Sequence, residues 1–174
     1  MREISEEIFY PDENIVIANS KAIDFLKKKS AMNKRKRARL CTHQDTNDLV
    51  QEMLIVHTKG NYVRPHKHLN KSESLHVLEG SGDMIFFDEN GKVTRVVEMG
   101  DYLSGKIFYY RIAEPIFHTL IVNSPVIVFH EATKGPFDRS DTIWADWSPE
   151  ENDSEKVREY MNKLVHLKNE EIQT

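Results

Sequence analysis

Short runs of alternating apolar and polar residues fill the middle of the chain, and stripes of longer period mark its two ends. Alternation with period two is the pattern of a strand with one buried face. Recurrence every three to four residues is that of an amphipathic helix. On this basis strands are expected at residues 49–58, 61–64, 74–78, 83–88, 92–99, 107–112, 117–122 and 126–131. Gly80 with Gly82, Asn90-Gly91, Gly100-Asp101 and Ser124-Pro125 punctuate them. Asn90-Gly91 predicts a type I′ hairpin, in which both central residues take positive φ. Many short strands with regular turns describe an antiparallel sandwich or barrel.

The ends read differently. Asn19 or Ser20 can cap a helix that carries Ile23, Phe25 and Leu26 and fades near Asn33. Ser148-Pro149-Glu150-Glu151 has the form of a capping box, with Ser148 as cap and Pro149 as first helical residue. The stripe Val157, Tyr160, Met161, Leu164 and Val165 that follows is expected to pack on the barrel or on a second subunit. The organisation expected is a single domain: residues 1–34 a helical extension, 35–147 the barrel and its closing segment, 148–174 a C-terminal helix. No internal repeat, low-complexity tract or linker divides the sequence.

Composition narrows the function classes. With 39% hydrophobic and 30% charged residues the chain is ordinary for a soluble globular protein. No apolar run approaches the ~20 residues a bilayer span needs, and the acidic N-terminus lacks the apolar core of a secretory leader. A lone Cys41 suits a reducing compartment, so a cytoplasmic location without membrane association is expected. A net charge of −4 argues against nucleic acid as partner. Eight basic residues do crowd together between Lys27 and Arg39, and they read as a solvated helix face with its flank.

The candidate chemistry lies in Gly60-x5-His66-x-His68-x4-Glu73-x6-Gly80. His66 and His68, two apart on an extended strand, point to one face. Glu73 follows after a short turn, and His118 heads a distant strand that can close the set from across a barrel. Three imidazoles and a carboxylate suit one divalent transition metal such as Fe, Mn, Zn or Ni. Chance gives roughly 0.4 His-x-His pairs in a chain of this composition, but adding the three fixed partners makes coincidence remote. If the strand is regular, Tyr62 and Arg64 share the parity of the histidines and line the interior as substrate-binding residues. His43 reads as a surface-turn histidine, and His76 as facing away from the metal. Lys71 and Ser72 read as loop residues before Glu73, Trp144 and Trp147 as fasteners of the C-terminal segment, and Cys41 as a small core residue.

The spacing from Gly60 to Gly80 resembles the first cupin motif. Gly100-Asp101 and His118 resemble the second, although Ala113, Pro115 and Asn123 depart from its usual pattern. RKRARLCTH, YVRPHKH, KSESLHVLEG, FFDENGKV, KGPF and WSPEE are similar to the WbuC-type cupin metalloproteins of bacterial surface-polysaccharide gene clusters. The resemblance implies a mainly β fold, a single cupin jelly-roll barrel with a helix at each end, and metal ligation by His66, His68, Glu73 and His118. It makes a homodimer the expected assembly. The function expected is that of a metal-dependent enzyme, an isomerase or epimerase, acting on a sugar or sugar-nucleotide. A non-catalytic module binding a small anionic sugar and an Fe(II)-dependent oxygenase are the alternatives.

Overall fold

The computed structural model describes residues 1–171, so the last three residues of the expected C-terminal helix lie outside the described part. In chain order its elements are β1 (Arg2–Glu3), β2 (Ile8–Tyr10), α1 (Ser20–Met32), β3 (Arg37–Cys41), β4 (Val50–Thr58) and β5 (His66–His68). There follow β6 (Glu73–Glu79), β7 (Ser81–Phe87), β8 (Val93–Gly100), β9 (Tyr109–Ile112), β10 (Phe117–Val122), β11 (Val126–Lys134), β12 (Thr142–Trp144) and α2 (Ser154–Glu171). Two sheets form, one in the order β1-β2-β3-β4-β11-β6-β9 and one in the order β12-β5-β10-β7-β8. All pairings are antiparallel except β2 with β3.

Alternation along the strands builds a layered molecule. Inward-facing Met53, Ile55, Leu75, Val77, Met84, Met99, Leu120 and Phe129 form the core between the sheets. The outward residues Ala38, Leu40, Val56 and Val128 meet Leu26 of α1 and Phe9. On the other side Ile85, Phe87, Phe117 and Ile121 meet Ala145 and Leu164 of α2. β10 is therefore buried on both faces, and it is the strand that carries His118. Each such aliphatic or aromatic side chain contributes ~1.5–3 kcal/mol by leaving water.

Local chemistry explains the element ends. Asn19 caps α1, its side chain accepting from the N–H groups of Lys21 and Ala22. Gly80, with φ +83°, turns β6 into β7 where a Cβ would strike the Val126 carbonyl. Three expectations are corrected. Residues 61–64 are not a strand: Pro65 offers no N–H to a ladder, and Asn61 is buried with its amide donating to the Arg35 carbonyl. The Asn90-Gly91 turn is not type I′, since only Gly91 has positive φ. Asp88 shapes it instead, its carboxylate accepting from the N–H groups of Asn90 and Lys92. Finally, α2 starts six residues after Ser148. The Ser148 hydroxyl is engaged with Ala145 and Arg64, and Asp153 caps the helix by accepting from the Lys156 N–H.

β3 itself, absent from the sequence reading, falls within the basic run, where charge masks the alternation. Four of its eight basic residues pair with carboxylates of the chain. Lys27 pairs with Glu79 at 2.7 Å and Lys29 with Glu3 at 2.8 Å. Arg35 meets Glu151 at 2.6 Å, and Arg37 meets Glu7 at 3.1 Å and Glu151 at 3.4 Å.

Candidate metal centre

β5 and β10 are neighbours, and their register sets His118 directly opposite His66. His68, two residues on, shares the inward face with His66. The ligand atoms of His66, His68 and His118 lie within 4.8 Å of one another. Glu73, at the start of β6 in the facing sheet, brings one carboxylate oxygen to 3.2 Å from His68 Nε2 and the other to 3.6 Å from His118 Nε2. Glu73 and His118 are buried, and the other two histidines are half-buried.

Each ring is held by its other nitrogen. His66 Nδ1–H donates to the Arg64 carbonyl at 2.9 Å, and His118 Nδ1–H to the Ile116 carbonyl at 2.9 Å. His68 Nδ1 lies 3.2 Å from the Thr142 hydroxyl. A carbonyl only accepts, so the tautomer is fixed and the Nε2 lone pairs of His66 and His118 are left free. Trp144 of β12 packs its ring 5.3 Å from that of His66, and Tyr110 donates to Glu73 at 2.8 Å. A gap of about 10 Å³, room for one water, opens onto the group between Lys71, Ile112 and Ile116.

The electrostatics favour a neutral His66 beside an ionised Glu73. Burial, then the neighbouring His118 and His68, pushes His66 down to about 3. Burial would raise Glu73, but His118 and then His68 outweigh it and hold the carboxyl well below its usual range. Burial, then the Glu73 carboxylate, raises Tyr110 well above the ordinary phenol, so it stays a donor. Glu131, two steps from Phe129 on the inward face of β11, is raised by burial and by Glu73 to about 8. Neutral nitrogen donors and an anionic oxygen are what a divalent transition ion requires, so the residues present fit such an ion.

Tyr62 and Arg64 are not on this wall, which corrects the parity argument. The stretch before β5 is irregular, so alternation does not carry back through Pro65. Tyr62 donates to the Pro149 carbonyl at 2.9 Å. Arg64 donates to the Ala145 carbonyl at 3.0 Å and to the Ser148 hydroxyl at 3.3 Å, and borders an open groove beside the C-terminal segment. His43 is likewise corrected: it is buried, with Nδ1–H donating to the Glu52 carbonyl at 2.9 Å. His76 stacks on Phe108, turned away from the centre. Tyr110 and Thr142, which the sequence reading missed, are separated from their partners by 37 and 74 positions, and no local pattern links them.

Residues 18–99 match the family model of a domain of unknown function, DUF6016. No curated protein matches the chain. Among solved structures the chain is similar to the capsular polysaccharide assembling protein CapF of Staphylococcus aureus. Identity is 18% over 65% of this chain and 32% of that one, with a TM-score of 0.50. Protein SO0799 of Shewanella oneidensis aligns at 16% identity over 59% of this chain and 66% of its own, with a TM-score of 0.46. Oxalate decarboxylase of Bacillus subtilis, a protein with Mn(II) centres, aligns at 16% identity over 56% of this chain and 24% of its own, with a TM-score of 0.45. The chain thus spans about a third of CapF and just under two thirds of SO0799. The fold is the cupin jelly roll, with one helix near the N-terminus and one at the C-terminus. No helix among the described residues is long and apolar enough to cross a membrane.

Proposed function

We propose that this chain is a WbuC-type cupin metalloprotein that holds one divalent transition metal through His66, His68, His118 and Glu73. The ion would be Fe, Mn, Zn or Ni, and the protein would act on an anionic sugar or sugar-nucleotide in surface-polysaccharide biosynthesis. The observation that carries the reading is the orientation of the imidazoles. Both carbonyl-tethered rings, His66 and His118, keep Nε2 free, that of His118 3.6 Å from the Glu73 carboxylate, and His68 is tethered by Thr142 alongside them. A bound ion would supply Lewis-acid polarisation of a carbonyl or hydroxyl. The chain's own residues do the rest. Tyr110 orients Glu73, Thr142 and Trp144 fix two of the rings, and Glu131 offers a carboxyl able to hold or release a proton near neutrality.

The sequence resemblance supports the polysaccharide setting, and the fold shared with CapF is compatible with it. In this reading residues 1–174 work as one domain in the cytoplasm, as a homodimer. The test is elemental analysis of protein purified without chelator, followed by turnover assays on sugar-nucleotides. About one metal per chain and a changed product would support it. Less than a tenth of an equivalent of every transition metal would remove it.

A further inference from the structure

β9 ends the seven-stranded sheet, with β6 on one side and, among the described residues, no strand on the other. The Val77 N–H donates to the Phe108 carbonyl, so by alternation Tyr110 and Ile112 also bond to β6. Tyr109 and Arg111 then turn their N–H and C=O groups to the open edge, where none of the described residues meets them. Such a row of free backbone groups is a template for another strand. The other edges are blunted. β1 has two residues and β12 three, while β8 carries Arg95 and Glu98 and has α2 packed against it.

The approach to this edge is apolar. Residues 102–109 are exposed throughout, and Tyr102, Leu103, Ile107, Phe108 and Tyr109 are among them. Leu103 is 92% exposed and Tyr102 74%. The Phe108 ring lies 5.6 Å from that of Tyr102 and 5.5 Å from that of His76, and exposed Leu78 follows His76 on the same face of β6. At ~150–250 Å² for a whole aromatic side chain, these six apolar residues leave roughly 600 Å² in water. The largest apolar patch of a typical monomer is about 300–600 Å². Two such faces together reach roughly 1,200 Å², the lower end of what stable interfaces bury.

We propose that this face is the interface of a twofold dimer, in which β9 pairs antiparallel with β9 of a second copy about an axis at Tyr110. Tyr110 points inward to Glu73, so Tyr109 and Arg111 share the outer face. An axis at Tyr110 sets Tyr109 of each copy opposite Arg111 of the other, where a guanidinium can lie over a phenol ring. The same register joins the free backbone groups of both residues in exchanged pairs. An axis at Arg111 would oppose two like charges. An axis at Tyr109 would call on the Ile107 carbonyl, which already accepts from the Gly100 N–H. The face is therefore self-complementary in one register. The inference rests on the homodimer proposed above and is independent of the metal.

The experiment is sedimentation equilibrium of the full chain across a range of concentrations, on wild type, Leu103→Asp, Arg111→Pro and Val165→Asp, with folding checked by circular dichroism. Proline at position 111 removes an N–H that faces the open edge, so it costs the single chain no ladder bond. Val165, exposed on α2, is the control for an apolar side chain elsewhere. Wild type and Val165→Asp should dimerise alike, and Leu103→Asp and Arg111→Pro about ten- to a hundredfold more weakly. Should Arg111→Pro not fold, Leu103→Asp, altered at an almost fully exposed position, decides the matter by the same criterion. A dimer untouched by Leu103→Asp and Arg111→Pro, or lost in Val165→Asp instead, overturns this face while keeping the homodimer. A monomeric wild type overturns both. Flotation of that monomer with phosphatidylcholine–phosphatidylglycerol vesicles would assign the apolar face to a bilayer surface instead.

Discussion

Two clusters of charged and titratable side chains in this molecule are built on opposite rules. In the clamp where Glu7, Arg35, Arg37 and Glu151 meet, every charge finds its complement within the chain. In the histidine corner each ring is tethered through Nδ1, and those of His66 and His118 are left open at Nε2. The clamp ties an N-terminal segment and a C-terminal segment to β3, and it needs nothing from outside. The corner spends its hydrogen bonds on orientation and keeps its donors for something the chain does not supply. A cluster's residue types do not separate structure from function; what the arrangement leaves unsatisfied does.

The sharpest way to break this contrast is to remove two open donors. His66→Ala with His118→Ala should take the metal content from about one per chain to none, read by elemental analysis, while the fold persists by circular dichroism. Retained metal would move the ligand set elsewhere.

Acidity should act next most strongly. In the metal-free protein His57 and His66 are each held down to about 3, in both cases by burial first, so the folded state keeps them neutral. The unfolded chain protonates them near ~6.5, so stability falls as pH drops below that value. Glu131, raised to about 8, is protonated when folded and ionised when unfolded between about 4.5 and 8. Its contribution is present at low pH and is lost as pH rises through 8. Two histidine terms against one carboxyl term leave a net slope of ~1.4 kcal/mol per pH unit between 4.5 and 6.5. Stability should therefore peak near pH 6.5 in urea melts, and a flat profile from 4.5 to 8 would contradict the burial of these groups.

Tyr110→Phe sharpens the comparison more gently. It frees Glu73 from its orienting donor without touching a ligand, and should weaken metal binding ten- to a hundredfold, or ~1.4–2.8 kcal/mol, by competitive chelation. Glu151→Gln should have the smallest effect. Its pairs with Arg35 and Arg37 are partly exposed, so about 0.5–1 kcal/mol of stability is lost and metal affinity stays as it was. Equal loss of metal from both variants would erase the distinction between clamp and corner.

How much of this was legible in the sequence follows from how local each feature is. The pairing of His66 with His68 needs only alternation over three residues, and the core strands need only a few more. Tyr62 and Arg64 were misplaced because the same alternation was carried through Pro65 into a stretch with no ladder to enforce it. The start of α2 was misplaced because Ser148, a good cap by type, bonds Ala145 and Arg64 instead. β3 was missed because arginines occupy its inward face. Tyr110 and Thr142 acquire meaning only through registers that join strands far apart in sequence.

β12 closes the edge of the sheet against β5, placing Thr142 opposite His68 and Trp144 opposite His66, while the Ala145 N–H reaches the Pro65 carbonyl. This late strand gives the histidine corner a schedule. During synthesis the ribosome delivers His66 and His68 long before residues 142–145, and until that segment docks the two rings lack the wall that aims them. On the proposed metal reading, capture would be an event of the nearly finished chain, since a site assembled from distant segments gains its affinity only as folding closes around it. An ion arriving early would meet a pair of loosely held imidazoles, and one arriving after docking would meet an assembled ligand set.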